Sequence, residues 1–305
     1  MATLGIVINP TSGRGRGKAD GKLAKEEFAK HGIELVDLSG ESFQDASLKA
    51  KKAIDDKSVE GLIVVGGDGM FHLGVNATAK TDIPLGLIAA GTGNDSARAL
   101  GIPIHDVVAG VSHIVSKLKA TRLVDLIESE SNSRKFFSFG AVSAGFDALV
   151  NKRANMCNWI TGPIKYRFAM YRELASFKPI DYRAVIDGVE RIFQANLCTV
   201  ANSPSYGGGL FITPDASVDD GEFDLFILNS ISRLELIKLF PSVYEGKHVT
   251  HPAVEIIRAK QVVLDSPGMP AYSDGEHVGD SPVECKVAPC LLYTSPSPRD
   301  ATLSR

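Results

Sequence analysis

The chain has 305 residues, 44% hydrophobic and 23% charged, with a formal net charge of −3 and a pI near 6.2. That balance fits a soluble globular protein long enough for two domains, and its slight acidity argues against a nucleic-acid partner. No apolar run reaches the length of a bilayer span, and MATLGIVINP lacks the regions of a signal peptide, so the expected location is cytoplasmic.

The first part alternates strand and helix patterns. Leu4–Asn9 reads as a strand, Ala19–His31 as a helix closed by Gly32, Ile33–Leu38 as a strand and Phe43–Asp56 as a helix. Gly61–Val65 follows as a strand, Met70–Ala79 as a helix and Leu85–Ala89 as a strand. Asn94–Leu100 is a short helix stopped by Pro103, and Asp106–Leu118 another. This rhythm predicts an α/β domain with a parallel sheet covered by helices on both faces.

The texture changes after about Thr121. Leu123–Ser129, Lys135–Gly140, Tyr182–Ile186, Arg191–Ala201, Phe223–Leu228, Val254–Arg258 and Gln261–Leu264 read as short strands. Helical stretches at Asn151–Phe177 and Arg233–Tyr244 interrupt them. The pattern predicts a β-sandwich or curved antiparallel sheet. The expected division is 1–122 and 123–289, with the crevice between the domains as the default site.

Residues 290–305, CLLYTSPSPRDATLSR, fit neither texture. Back-translated, they resemble a transposon-end sequencing adapter, so they are read as a non-native tail and set aside from the fold. A further native C-terminal element is then expected beyond Pro289. Cys157, Cys198, Cys285 and Cys290 show no C-x-x-C or metal spacing, and are expected as isolated thiols in a reducing compartment.

The chemistry gathers where strands end. Gly66-Gly67-Asp68-Gly69 closes the most apolar strand and opens a helix. Glycine allows close backbone approach, and the helix start directs N–H groups at an anion. Asp68 would repel a phosphate, so its expected role is to hold Mg²⁺ or its water shell beside one; the bland alternative is a tight turn with an N-cap aspartate. Asn9-Pro10-Thr11-Ser12-Gly13 follows the first strand, and Gly91-Thr92-Gly93-Asn94 the fourth, with Asp95 expected as an N-cap and contact with metal or substrate as the alternative. A P-loop is excluded by the short spacing of Ser12–Lys18 and by Ala19, and no G-x-G-x-x-G follows the first strand.

These segments resemble the soluble diacylglycerol kinases and their sphingosine and ceramide kinase relatives. The matching stretches are VINPTSG (7–13), GGDG (66–69), PLGLIAAGTGNDSARALGIP (84–103), SAGFDALV (143–150), GGGLFITPDASVDDGEFDLFIL (207–228) and DGE (274–276). NAD kinases and phosphofructokinases also use GGDG turns, but not this set. The resemblance implies a three-layer nucleotide-binding domain followed by a β-sandwich domain. It further implies phosphorylation of diacylglycerol to phosphatidic acid, with sphingoid-base or other lipid-alcohol kinases, or a non-catalytic lipid- or nucleotide-binding homologue, as alternatives.

By the same resemblance, ATP is held by Asn9, Pro10, Thr11, Ser12 and Gly13, by Gly66, Gly67, Asp68, Gly69, Met70, Phe71 and His72, and by Gly91, Thr92, Gly93 and Asn94, with Ser39 a looser candidate. Glu276 matches the general base for the lipid hydroxyl, and Asp125 a residue orienting that site. Without the resemblance, Glu276 reads as a hairpin residue after an Asp-Gly turn. Ser217, Asp220 and Glu222 match an Mg²⁺ site, the first and last through backbone carbonyls; a solvated acidic turn is the alternative. Met70 and Leu73 depart from the family pattern, which has a hydroxyl and a carboxylate there.

The expected partner is diacylglycerol or a related lipid at the inner face of the cell membrane, and the resemblance allows a homodimer. Asn151–Leu174 mixes five basic with four aromatic side chains in a pattern that suits an anionic surface, and suits a helix packed in the core equally well.

Overall fold

The computed structural model describes residues 3–118, 120–156, 169, 172–173 and 178–292. The chain forms two compact units that change over between Val124 and Asp125, and it returns to the first unit at Pro289.

In the first unit β1 (Thr3–Ile8), β2 (Glu34–Asp37), β3 (Gly61–Gly66) and β4 (Leu85–Ala89) stand in the order β4-β3-β1-β2, all parallel. Every residue of β3 and β4 is buried, as covering on both faces requires. The connections are a left-handed turn, α1 (Ser12–Gly15), and the helices α2 (Gly17–Lys30), α3 (Phe43–Asp55), α4 (Asp68–Thr78), α5 (Asp95–Leu100) and α6 (Val107–Lys117). α2 and α6 bring Phe28, Val111 and Ile114 against Leu4, Ile63 and Ile88. α3 and α4 pack on each other and on β1 and β3. Ser42 and Asp106 cap α3 and α6 through the amides of Asp45 and Ala109, so both starts were readable as capping residues before apolar periods.

The second unit is antiparallel. β5 (Arg122–Ser131) pairs β6 (Arg134–Ser138). A longer run of neighbours comprises β14 (Glu276–Asp280), β13 (Pro270–Ser273), β7 (Ala141–Ser143), β9 (Val189–Ala201), β8 (Ile180–Ile186), β12 (Gln261–Asp265) and β15 (Val283–Leu292), in that order. β10 (Phe223–Asn229) lies between β9 and β11 (Val254–Ala259). Tyr182, stacked on Phe193 at 5.6 Å, joins Leu225, Val262 and Cys285 in one core. A second core sets Leu197, Phe226 and Leu228 under α8 (Arg233–Val243). α7 (Phe146–Met156) follows β7.

Several expectations change. α4 begins at Asp68 rather than Met70, because Met70 and Phe71 N–H both donate to the Gly67 carbonyl. α2 begins at Gly17, where a Cβ would come 2.0 Å from the Asn9 carbonyl oxygen. The helix expected at Asn151–Phe177 starts earlier, at Phe146; the remainder of that basic and aromatic stretch lies outside the described residues except at 169 and 172–173. The exclusion of 290–305 from the fold also fails at its first residues: β15 runs on to Leu292, which pairs in parallel with Leu85 of β4. An apolar Cys290–Leu292 suits a strand whatever its origin.

Cys198 and Cys285 are free and buried, whereas Cys157 lies outside the described residues. Among the described residues no helix is long and apolar enough to cross a membrane.

Candidate active site

Parallel strands that end together put their following turns on one edge, and in the first unit three glycine turns meet there through their backbones. A Cβ at Gly91 would lie 2.2 Å from the Gly67 Cα, and one at Gly13 2.5 Å from the Ala90 carbonyl oxygen. A Cβ on Gly93 would come 2.7 Å from Asp68 Oδ2. The glycines are therefore required for turn-to-turn contact before any ligand is considered.

Polar side chains also brace two of these turns and the end of β1. Asn9 Oδ1 accepts from Thr11 N–H at 3.0 Å and from Thr11 Oγ1 at 2.8 Å, while its backbone carbonyl accepts from Ser12 N–H and Oγ. Asn94, buried and left-handed at φ 57°, accepts from Gly91 N–H and donates to the Gly91 carbonyl, both at 3.0 Å. Ser39 Oγ accepts from Ile8 N–H at 2.9 Å, so this hydroxyl braces the end of β1. Asn9, Asn94 and Ser39 thus serve as frame.

Asp95 is not the N-cap that its position suggested. Asn94 holds that place without capping, and Asp95 pairs with Arg98 at 2.6 Å. The carboxylate at the start of α5 comes from α4: Asp68 Oδ1 accepts from Ser96 N–H at 2.9 Å. Burial, with the Asp95 charge beside it, raises the Asp68 pKa despite that hydrogen bond. A half-buried carboxylate so placed fits the demand for a cation.

Pro10, Thr11, Gly69 and Thr92 are exposed along these turns, and Ser12, Gly13, Gly66, Gly67 and Gly93 form their floor. Arg14, Arg16 and Lys18 are exposed just beyond the first turn and make its surroundings attractive to an anion. Periodicity gives no hint of this cluster, whose spacing merely fails the P-loop pattern.

Met70, Phe71 and His72 do not present their side chains there. Phe71 is 1% exposed, Met70 lies over Gly66, and His72 is buried with Nε2 3.3 Å from Asn76 Nδ2. Leu73 is a core residue as well, which accounts for its apolar character. Any contact of Met70–His72 with nucleotide would be through backbone.

In the second unit Glu276 is exposed at the start of β14, next to Tyr272, whose pKa is raised by burial and then by the Glu276 charge. The hairpin carrying it is fixed by Asp274, a residue to which sequence reasoning assigned no role. Asp274 accepts from the backbone N–H groups of Phe139, Gly140 and Ala141 at 3.0, 2.9 and 3.0 Å. The Asp of the DGE run was the available signal.

Asp125 sits beside the acidic turn. Its N–H donates to the Val218 carbonyl, and its carboxylate accepts from Gly221 N–H at 2.7 Å. Burial and the charges of Asp220 and Asp219 raise its pKa. Asp224 is pushed up to about 6, chiefly by burial, with further acidic neighbours opposing the relief from Arg258.

Arg258 bridges Asp220 at 2.5 Å and Glu222 at 2.8 Å, while Ser217 Oγ donates to Asp219. No cluster of three or more His, Cys, Asp or Glu side chains with metal-holding geometry occurs among the described residues. A cation at Ser217, Asp220 and Glu222 would have to use backbone carbonyls and displace this guanidinium.

The second unit also contains a cavity of about 350 Å³ between α7, β10 and α8. Phe146, Leu197, Phe226, Leu236 and Leu239 contribute to its mainly apolar wall. Asp147 is its buried acid, accepting from Thr199 Oγ1 at 2.8 Å and Tyr206 Oη at 3.1 Å, and burial raises its pKa. SAGFDALV contained this aspartate, but no periodicity could place it in a cavity wall.

Comparison with known proteins divides the chain as the structure does. Residues 3–128 match the diacylglycerol kinase catalytic domain, and residues 140–294 the YegS C-terminal NAD kinase beta sandwich-like domain. A diacylglycerol kinase of Mycobacterium tuberculosis H37Rv is 38% identical over 288 residues, covering 94% of this chain and 92% of that one. A diacylglycerol kinase of Staphylococcus aureus MRSA252 is 32% identical over 282 residues, covering 91% and 87%. The fold is shared with a diacylglycerol kinase structure from Bacillus anthracis, at a TM-score of 0.71, 19% identity and 97% coverage of both chains. The chain belongs to the diacylglycerol kinase family of lipid kinases.

Proposed function

We propose that the protein transfers the γ-phosphoryl group of ATP to the sn-3 hydroxyl of diacylglycerol, giving ADP and phosphatidic acid. The observation that carries the lipid part of this reading is the apolar cavity of the second unit, of a size that suits part of an acyl chain. The nucleotide part rests on the glycine-turn edge of the first unit, with Thr11, Gly69 and Thr92 exposed for phosphate contact.

In this reaction the lipid hydroxyl oxygen attacks the γ-phosphorus in line while the bond to the β–γ bridging oxygen breaks. Glu276 takes the hydroxyl proton, for which an exposed carboxylate on a fixed hairpin is suited. Mg²⁺ carried with ATP would be held beside Asp68, where it supplies charge neutralisation. A second Mg²⁺ at Asp220 and the carbonyls of Ser217 and Glu222 remains part of the proposal, with Arg258 moving aside.

A sphingoid base is the second reading, favoured by Asp147: a buried acid in the cavity wall offers a carboxyl partner for an amine. The test is incubation of wild type and Glu276→Gln with radiolabelled ATP, Mg²⁺ and micelles of diacylglycerol, sphingosine or ceramide. Transfer to diacylglycerol, lost in the variant, supports both substrate and base. Transfer to sphingosine alone moves the assignment to the second reading, and transfer to none by an ATP-binding wild type ends the kinase proposal.

A further inference from the structure

α8 is apolar on two faces, which a helix at a water-exposed surface ordinarily is not. Its inner face places Leu236, Leu239, Phe240 and Val243 in the wall of the cavity. Its outer face carries Leu234, 73% exposed, and Ile237, 45% exposed, followed at helical spacing by exposed Pro241; Tyr244, just past the helix end, is also exposed but belongs to the cavity wall. Residues three, four and seven apart share a helix face, so Leu234, Ile237 and Pro241 form a continuous stripe. Scattered apolar residues on a surface need no explanation, but a stripe on the wall of a lipid-sized cavity does.

We infer that the outer face of α8 docks into the surface of an anionic bilayer. The inference rests on the lipid-kinase reading above, since a substrate with acyl chains has to leave a membrane to enter the cavity. A helix with one face in the acyl boundary and the other on the cavity lets that chain pass without crossing open water.

Charge on the face agrees. Lys238 stands within the stripe, exposed and without a partner among the described residues. Of the nearby acids, Glu245 pairs with Lys247 at 2.5 Å, and Glu235 lies 3.4 Å from the His251 ring. The Lys238 ammonium is free to meet an anionic headgroup.

A second copy of the chain is the competing occupant. Three exposed side chains fall well short of the roughly 800 Å² that each partner of a stable interface buries. Insertion of two or three apolar side chains into a bilayer has no such minimum.

The test is Leu234→Gln with Ile237→Gln in one chain, neither residue being in the cavity wall. Co-sedimentation with equimolar phosphatidylglycerol–phosphatidylcholine vesicles is expected to weaken about tenfold. Transfer to long-chain diacylglycerol in those vesicles should fall in parallel, while transfer to a water-soluble short-chain diacylglycerol stays at the wild-type rate. Lys238→Gln should weaken vesicle binding about fivefold at low salt, and less at high salt.

Unchanged vesicle binding by the folded double variant overturns the inference. So does a wild-type dimer in sedimentation velocity that the variant dissolves while vesicle binding persists, which would assign the face to self-association. If wild type binds vesicles through α8 but phosphorylates neither substrate, the docking face stands and the kinase proposal fails.

Discussion

Two Asp-Gly pairs serve the proposed chemistry, and the molecule uses them in opposite ways. At Asp68-Gly69 the neighbouring glycines matter through absent side chains, because Gly67 and Gly91 touch backbone to backbone. At Asp274-Gly275 the aspartate side chain matters, because it gathers three amides from the loop after β6. A turn can thus be fixed by removing atoms or by adding hydrogen bonds. Substitutions separate the two.

The largest effect is expected at the first turn. Gly91→Ala places a methyl 2.2 Å from backbone, and should cost about 3 kcal/mol or abolish folding. Gly69→Ala has open space and should leave urea stability within about 1 kcal/mol, while weakening ATP binding in a titration. Equal destabilisation by the two would break the claim that contact, rather than glycine itself, is what the turn requires.

At the second turn, activity and stability should part. Glu276→Gln is expected to reduce kcat for lipid phosphorylation by about 10²–10⁴-fold with an unchanged melting temperature. Asp274→Ala should instead cost about 2 kcal/mol by leaving buried amides unpaired, as read by urea denaturation. A stable Asp274→Ala chain would remove the proposed anchor.

A smaller effect sharpens the contrast with the acidic turn, where carboxylates are crowded rather than anchored. Asp224 has a folded-state pKa of about 6 against an ordinary value of 3.8. Between those values the folded chain binds more protons than the unfolded one, so this group makes stability fall as pH rises through that window. Asp224→Asn should remove the fall and add about 1 kcal/mol at neutral pH, after allowance for solvent screening. Urea midpoints at pH 4 and pH 7 for both proteins check the sign.

The first unit was the more legible in sequence. Its central strands β3 and β4 are buried on both faces and run into glycine turns, so hydrophobic runs and turn residues coincide there. The second unit hid β7 and β13, whose three and four residues are too short to show a period. Site residues were legible as positions more than as roles. Asn9, Asn94 and Ser39 were named as nucleotide-binding candidates, and their side chains bond backbone partners that no spacing rule foretells. Asp125 was singled out, yet only pairing with Val218 and Gly221 revealed its company. Asp274 and Asp147 stood inside quoted motifs without assignment, because their partners are distant in sequence.

Asp68 divides its carboxylate between two tasks: one oxygen holds the Ser96 amide, and the other faces Gly93. The Ser96 amide proton is therefore a built-in gauge of electrical change at this edge. Its chemical shift and its exchange with solvent should respond whenever a proton or a cation reaches Asp68, even with no other movement of the loop. Charge arriving at one turn is thereby reported at the start of the helix after the next strand.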